Sequence, residues 1–192
     1  MQFSTVTLLM ASLMATGLMA SPTAGPDETS VYELKSEKRE GGSIVQYGEV
    51  KRSLAPRKDC GGWFQPPCPP KTCHETALDK PECDGKKNGG TNSVCSELIN
   101  DLYGNKDTEL VKGAQQICWK NDATGKTGCC IKWTKAVPGL KKNDLIERGD
   151  KIKSTCDTNG ISGKYNTVNL KGVCLSYCMS IGAGCKDESD FS

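Results

Sequence analysis

The chain has 192 residues, a formal net charge of +2 and a mean hydropathy of −0.49. This near-balance of charge argues against strong electrostatic attraction to nucleic acid or to an anionic membrane, so we expect no nucleic-acid partner. All 12 cysteines lie from Cys60 onward, and their even number predicts a disulfide framework formed in an oxidising, extracellular compartment. We expect neither a metal nor another cofactor.

Residues 1–20 are predicted to be a secretory signal peptide. They hold an apolar core over 6–19 and end at the small residue Ala20, although the usual basic residue near the start is missing. A membrane helix is the alternative, but a span needs about 20 predominantly apolar residues, and Ser12, Thr16 and Gly17 interrupt this stretch. No later apolar run approaches that length, so we expect a secreted protein without a membrane span.

Residues 21–52 are predicted to be a propeptide. The stretch is rich in charge, lacks cysteine and holds two dibasic pairs, which are Lys38-Arg39 and Lys51-Arg52. The second pair lies just before the cysteine-containing part and is followed by the small residue Ser53, so we expect removal of the propeptide after Arg52. The alternative is a leader that stays uncut and disordered.

Residues 53–185 are predicted to form a disulfide-rich domain. Its first part, 60–90, is expected to be rich in loops, because four prolines close to three cysteines exclude a continuous helix or a central strand. Trp63 and Phe64 lie in this part, and they either pack on the core or face a partner.

The core of the domain, 91–185, begins with a predicted helix. Its apolar residues follow a helical stripe that ends at a glycine, and they are Val94, Cys95, Leu98, Ile99 and Leu102 before Gly104. A β-hairpin follows, since 114–120 and 128–135 alternate on either side of a polar turn. One face of this hairpin is expected to be apolar and to carry Ile117, Trp119, Ile131 and Trp133.

A second helix and two further segments complete the predicted core. Asn143 or Asp144 can cap the helix, and its buried face is expected to hold Leu145, Ile146, Gly149, Ile152 and Cys156. A strand is predicted over 165–170, whereas 173–180 fits either a strand or a helix. The acidic tail, 186–192, is expected to be flexible.

This order of elements predicts an α+β fold, a small, disulfide-rich two-layer sandwich in which two helices pack against an antiparallel sheet. The length after residue 52 suffices for one core, and we expect a monomer. The expected disulfide cysteines are Cys60, Cys68, Cys73, Cys83, Cys95, Cys118, Cys129, Cys130, Cys156, Cys174, Cys178 and Cys185.

The adjacent cysteines Cys129 and Cys130 lie in the second strand of the predicted hairpin. Successive side chains of a strand point to opposite faces, so these two cysteines are expected to bond to different neighbours. Cys129 lies on the apolar face and should reach a helix cysteine, either Cys95 or Cys156. Cys130 lies on the polar face, where its expected partner is Cys118 or a cysteine of the loop-rich part.

A zinc site would have to use the single histidine, His74, together with Cys68, Cys73 and Cys83. Their spacing matches no standard zinc finger, and cysteines of secreted proteins are usually oxidised, so disulfides are favoured over metal ligation. The same scarcity of histidine argues against a histidine-dependent nucleophile.

Two carboxylate pairs at helical spacing could serve in acid–base hydrolysis, and they are Glu97 with Asp101 and Glu147 with Asp150. Such pairs are more often solvated charges on a polar helix face, so we assign no catalytic residue and expect a protein that is not an enzyme. The candidate binding surface combines aromatic and basic side chains, namely Trp63, Phe64, Lys132 and Lys135. Ordinary surface charge is the alternative interpretation of the two lysines.

Several short motifs resemble small secreted fungal proteins of the WD-like family. They are Ile-Cys-Trp at 117–119, Gly-Cys-Cys-Ile-Lys-Trp at 128–133, Val-Pro-Gly-Leu at 137–140, Cys156, Ile-Ser-Gly at 161–163, Val-Asn-Leu at 168–170 and Val-Cys-Leu-Ser-Tyr-Cys at 173–178. The resemblance covers about residues 94–185 and brings no catalytic residues with it. The order of elements is also similar to that of fungal killer toxins and of plant-pathogen effectors with the same α/β-sandwich fold.

These resemblances imply a secreted, disulfide-bonded, non-enzymatic protein that acts on a host or on a competing microbe. The leading hypothesis is therefore an effector or toxin-like protein that binds its target through a rigid surface. A protein that binds cell-wall polysaccharide through exposed aromatic side chains is the first alternative. A small secreted hydrolase with a carboxylate site is the second.

Overall fold

A computed structural model describes residues 30–50, 73–83, 92–125, 127–156 and 162–181. Outside these ranges lie the predicted signal peptide, Lys51, Arg52, Trp63, Phe64 and the tail at 186–192. The helices and strands, in chain order, are β1 (Ser30–Arg39), β2 (Gly42–Val50), β3 (Glu82–Cys83), α1 (Asn92–Gly104), β4 (Gln116–Asn121), β5 (Thr127–Trp133), α2 (Asn143–Cys156), β6 (Gly163–Leu170) and β7 (Val173–Ile181).

The described strands form one sheet in the order β1-β2-β4-β5-β7-β6-β3. Every pair of neighbouring strands in it is antiparallel. Side chains of directly paired residues point to the same face, so Trp119, which pairs with Ile44, shares a face with Ile131, which pairs with Ile117. Within the described chain, neither helix is long and apolar enough to cross a membrane.

Both helices pack on this same face of the sheet. They meet at Gly149 of α2, where a Cβ would lie 2.8 Å from Cδ1 of Ile99 in α1 and 3.2 Å from Cδ1 of Ile131 in β5. The absence of a side chain at Gly149 therefore permits the close approach of three elements. Tyr177 of β7 is fully buried beneath α2, and its hydroxyl donates to the carbonyl of Leu145 at 2.7 Å. The predicted two-layer α+β sandwich is confirmed.

The elements predicted within 91–185 are confirmed with small shifts of their ends. The helix α1 buries Cys95, Leu98, Ile99 and Leu102, and α2 buries all five residues expected of its inner face. The hairpin β4–β5 buries the four predicted apolar residues. The ambiguous stretch 173–180 is a strand, because it pairs with β5 on one side and β6 on the other.

One pair of strands lies where the sequence predicted no element. Residues 30–50, within the predicted propeptide, form the hairpin β1–β2, which we call the N-terminal hairpin. The strand β2 pairs with β4 and buries Ile44 and Val45 completely or nearly so, whereas β1 is the exposed edge strand. Charge is common on edge strands because it discourages pairing with other chains. The charged sequence of 30–39 is therefore that of an edge strand rather than of a disordered leader.

Candidate functional site

Two disulfides attach β5 to elements on either side of it. Cys129 bonds to Cys95 of α1 across the core, and Cys130 bonds to Cys118 of the neighbouring strand β4. All four cysteines are fully buried. Both expected pairings are confirmed, and they follow from the opposite directions of adjacent side chains in a strand. The strand β5 is thus covalently bonded to the helix layer and to β4.

Two further disulfides attach the segment 73–83 to the core. Cys73 bonds to Cys174 of β7, and Cys83 bonds to Cys156 at the end of α2. Cys178 is disulfide-bonded as well. Since Cys73 and Cys83 are both oxidised, neither is available as the thiolate ligand that the zinc alternative required.

The junction between β2 and β4 closes over the tryptophan of β4. Trp119 is 5% exposed, and Gly42 lies on its indole ring, where a Cβ would approach ring atoms to 2.6 Å and the carbonyl oxygen of Lys120 to 2.6 Å. In the middle of β2, the side-chain oxygen of Gln46 accepts a hydrogen bond from the backbone N–H of Val111 at 2.8 Å. Side-chain and backbone contacts at the start and in the middle of β2 therefore hold the N-terminal hairpin in place.

A buried charge cluster links the N-terminal hairpin to α1 and to the residue just before α2. The Asp101 carboxylate of α1 accepts from Lys142 Nζ at 2.6 Å and from Arg39 Nε at 2.6 Å. The side chain of Lys142 is 0% exposed and that of Asp101 is 4% exposed. The sequence-based interpretation of Asp101 as a solvated charge is wrong, because its carboxylate neutralises a lysine inside the protein.

The same cluster extends along β1 through Glu37. Its carboxylate accepts from Lys35 Nζ at 2.6 Å and from Arg39 at 2.5 Å. The hydrogen bond from Lys35, aided by Arg39 and opposed by partial burial, holds the pKa of Glu37 below its ordinary value. The hydrogen bond with Asp101 raises the pKa of Arg39, so this arginine stays charged.

The two lysines of the predicted binding surface are both in contact with other parts of the chain. Lys132 Nζ lies 2.6 Å from the Glu49 carboxylate of β2, and its side chain is only 12% exposed. Lys135 is exposed and donates to the carbonyl of Cys174 at 2.6 Å. With the N-terminal hairpin in place, Lys132 is therefore largely covered and forms an ion pair with Glu49.

An open groove runs beside α2 on the outer surface of the helix layer. It encloses about 690 Å³, and residues lining it include Tyr103, Asn143, Glu147, Asp150, Lys151 and Ser154. Tyr103 is 52% exposed, and its hydroxyl donates to the Asp150 carboxylate at 2.5 Å. That hydrogen bond raises the pKa of Tyr103. The groove therefore combines an aromatic face with several polar groups.

The fold and its disulfides define a class of protein, a disulfide-bonded α+β sandwich with a helix layer on one face of an antiparallel sheet. The model of the fungal WD-like family matches residues 53–186, and the chain belongs to that family. Comparisons with curated proteins and with solved structures found no match. The matched range begins at residue 53, so β1 and β2 lie outside it although they belong to the sheet.

Proposed function

We propose that this protein is a secreted effector or toxin-like protein, which binds a target of a host or of a competing microbe without catalysing a reaction. The proposal includes a signal peptide at 1–20 and removal of residues 21–52 after Arg52. The observation that supports it best is the disulfide bonding of β5 to both α1 and β4. Disulfides persist in oxidising compartments, and a cross-linked surface loses little conformational entropy when it binds.

The positions of the carboxylates favour binding over hydrolysis. Asp101 is occupied by Lys142 and Arg39, and Asp150 accepts a hydrogen bond from Tyr103. Acid–base cleavage of a glycoside needs two carboxyl groups on opposite sides of the scissile bond. Glu147 lines the same groove as Asp150 but lies three residues away on the same helix, so the two approach a ligand from one side.

An assay with purified, secreted protein tests this function. Applied to fungal cultures and to plant tissue, the protein should arrest growth or cause cell death without turning over polysaccharide or RNA. Turnover that is abolished by Glu147→Gln or Asp150→Asn would contradict the proposal. Mass spectrometry of the same material should give an N-terminus at Ser53, and a terminus near Ser21 would refute the maturation step.

The groove beside α2 favours binding of cell-wall polysaccharide as a second candidate function. Sugar rings stack on exposed aromatic faces and hydrogen-bond to flanking polar groups, and Tyr103 with Asn143, Asp150 and Ser154 offers both. Retention of the protein on chitin or glucan that is lost on Tyr103→Ala, but kept on Lys112→Ala, would support this candidate. Lys112 is the control because it is exposed, lies outside the lining of the groove and remains in the protein after removal of residues 21–52.

A further inference from the structure

The strand β4 is an interior strand of the sheet only because the N-terminal hairpin lies beside it. Gly42 to Tyr47 pair with β4 along its whole length. The chain continues from Val50 directly into the dibasic pair Lys51-Arg52. No cysteine occurs in residues 1–59, so a cut after Arg52 would leave no covalent bond between the hairpin and the remainder of the protein.

The remaining strands are held together independently of the N-terminal hairpin. The disulfide Cys118–Cys130 bonds β4 to β5, and Cys95–Cys129 bonds β5 to α1. These cross-links keep β4 in position if β2 leaves. The family match, which begins at residue 53, also covers β4, β5, β7 and both helices but not the hairpin.

The surface beneath the hairpin has the properties of a site for an extended chain. Departure of β2 would free the backbone N–H and C=O groups along one side of Gln116–Asn121, and such groups pair readily with an added strand. It would also uncover Trp119, on which Gly42 lies. The two charged neighbours, Asp101 and Lys132, would lose Arg39 and Glu49 respectively.

We propose that this surface, which we call the β4 edge, is the partner-binding surface of the processed protein. Its occupant is an extended segment of a target protein that adds to β4 in antiparallel fashion, as β2 does in this structure. The inference rests on the proposed maturation after Arg52. The hairpin itself therefore covers the binding surface until it is cut and leaves.

The contacts of β2, together with that of Arg39 at the end of β1, define the chemistry of that segment. A glycine is required over Trp119, because a Cβ at position 42 would meet ring and backbone atoms. Apolar side chains are required two and three positions further on, where Ile44 and Val45 are 0% and 1% exposed. A basic group would face Asp101 at one end, and a carboxylate would face Lys132 at the other.

Two glycines of β2 provide a matched pair of variants. At Gly42 a Cβ would meet Trp119 and Lys120 of β4, whereas at Gly48 the three nearest atoms, at 2.8–3.2 Å, all belong to the side chain of Tyr32 within the hairpin itself. The Tyr32 ring is 46% exposed and has room to move. Alanine at 42 therefore disturbs docking on β4, and alanine at 48 does not.

The test uses the full chain with the recognition site of a specific viral protease in place of Lys51-Arg52, so that one cut is made at will. After cleavage and size-exclusion chromatography, a fluorescein-labelled synthetic peptide of residues 30–50 is titrated, and its anisotropy is measured. We expect saturable binding to the cut protein and none to the uncut protein. The Gly42→Ala peptide should bind about tenfold more weakly or worse, and the Gly48→Ala peptide within about twofold of the native peptide.

Several results would overturn the inference. The hairpin could remain bound through chromatography without exchanging, which would make it a permanent part of the fold. The cut protein could form a dimer through its β4 edges, which would make a second copy the occupant. It could also lose its near-ultraviolet circular dichroism, which would show that its packed structure depends on the hairpin. In the growth or cell-death assay, an excess of the 30–50 peptide should abolish the activity of the cut protein, and unchanged activity would place the active surface elsewhere.

Failure of the inference is distinguishable from failure of the proposed function. Because the engineered cut does not depend on natural processing, the peptide experiment reports on the β4 edge even if secreted protein begins near Ser21. A protein that binds the peptide but shows no effect on fungi or plants would contradict the proposed function alone.

Discussion

Asp101 is the residue on which the contact between the N-terminal hairpin and the helix layer depends. Its carboxylate is shared by Lys142, which is fully buried, and by Arg39, which belongs to the hairpin. A buried ammonium group is tolerated only while it is paired and hydrogen-bonded. Removal of Arg39 with the hairpin would leave the ion pair between Asp101 and Lys142 intact. The charge cluster is therefore compatible with the protein both before and after loss of the hairpin.

Asp101→Asn removes the negative charge while keeping the shape of the side chain. In the uncut protein we expect the free energy of unfolding to fall by about 3–5 kcal/mol, because Lys142 would then be a buried, unpaired cation. Urea unfolding with the disulfides intact measures this change. The control is Glu97→Gln, an exposed residue of the same helix, which should shift the free energy by less than about 0.5 kcal/mol. Equal urea midpoints of unfolding for the two variants would contradict the role of Asp101 in neutralising Lys142.

Because two tyrosines are buried, we expect the folded protein to lose stability at alkaline pH. Burial raises the pKa of Tyr165 to about 12, and complete burial raises the pKa of Tyr177 further. An unfolded tyrosine ionises near pH 10, so the folded protein binds more protons between pH 10 and 12. The stabilising contribution of Tyr165 is fully present below about pH 10 and is lost as the pH rises to about 12, whereas that of Tyr177 is lost only at higher pH.

Urea unfolding of the uncut protein between pH 9 and 12 tests this dependence of stability on alkaline pH. The double variant Tyr165→Phe, Tyr177→Phe should show a shallower fall of unfolding free energy with pH than the native protein. Tyr32→Phe, at an exposed position, should leave the slope unchanged. A double variant with the native slope would show that other groups cause the alkaline loss.

At the scale of elements, the two disulfides of β5 are expected to differ in their effect on stability. The bridge Cys95–Cys129 spans 34 residues of sequence, and Cys118–Cys130 spans 12. By restricting the unfolded chain, the first disulfide should add about 3.8 kcal/mol to the free energy of unfolding and the second about 2.8 kcal/mol. Chemical unfolding of the double variants C95A/C129A and C118A/C130A should therefore show the larger loss for the first. The reverse order would contradict this account of the framework.

The elements of residues 91–185 could be predicted because their patterns are local. The stripe of α2 and the alternation of β4 and β5 each report burial on one face, and the partners of Cys129 and Cys130 followed from that alternation. The structure added the register that selects Cys95 over Cys156 as the partner of Cys129.

The N-terminal hairpin could not be predicted by the same means. Its buried apolar pair, Ile44-Val45, is too short to show a period, and its edge strand is charged because it faces solvent. The pairing of β2 with β4 joins residues that are far apart in the chain, from Tyr47 with Gln116 to Gly42 with Asn121, so the local sequence of neither strand reveals it. The turn at Glu40-Gly41, followed by the β-branched pair Ile44-Val45, was the signal available in the sequence.

At the scale of the whole molecule, the protein consists of a cross-linked sandwich and a hairpin that completes its sheet without a disulfide. The cross-links bond β4, β5 and α1 to one another, whereas the hairpin is joined to them by the backbone, by side-chain packing and by ion pairs. A cut after Arg52 would therefore divide the molecule into the cross-linked part and a hairpin with no covalent bond to it.

Hydrogen–deuterium exchange of the protein before and after that cut tests the central claim most directly. We predict that the amides of Gln116–Asn121 that pair with β2 lose protection after cleavage, while those of β5, β7 and the helices keep theirs. Unchanged protection of β4 would contradict the account, because the hairpin would then be a permanent strand. Loss of protection throughout the sheet would contradict it as well, because the sandwich would then depend on the hairpin for its fold.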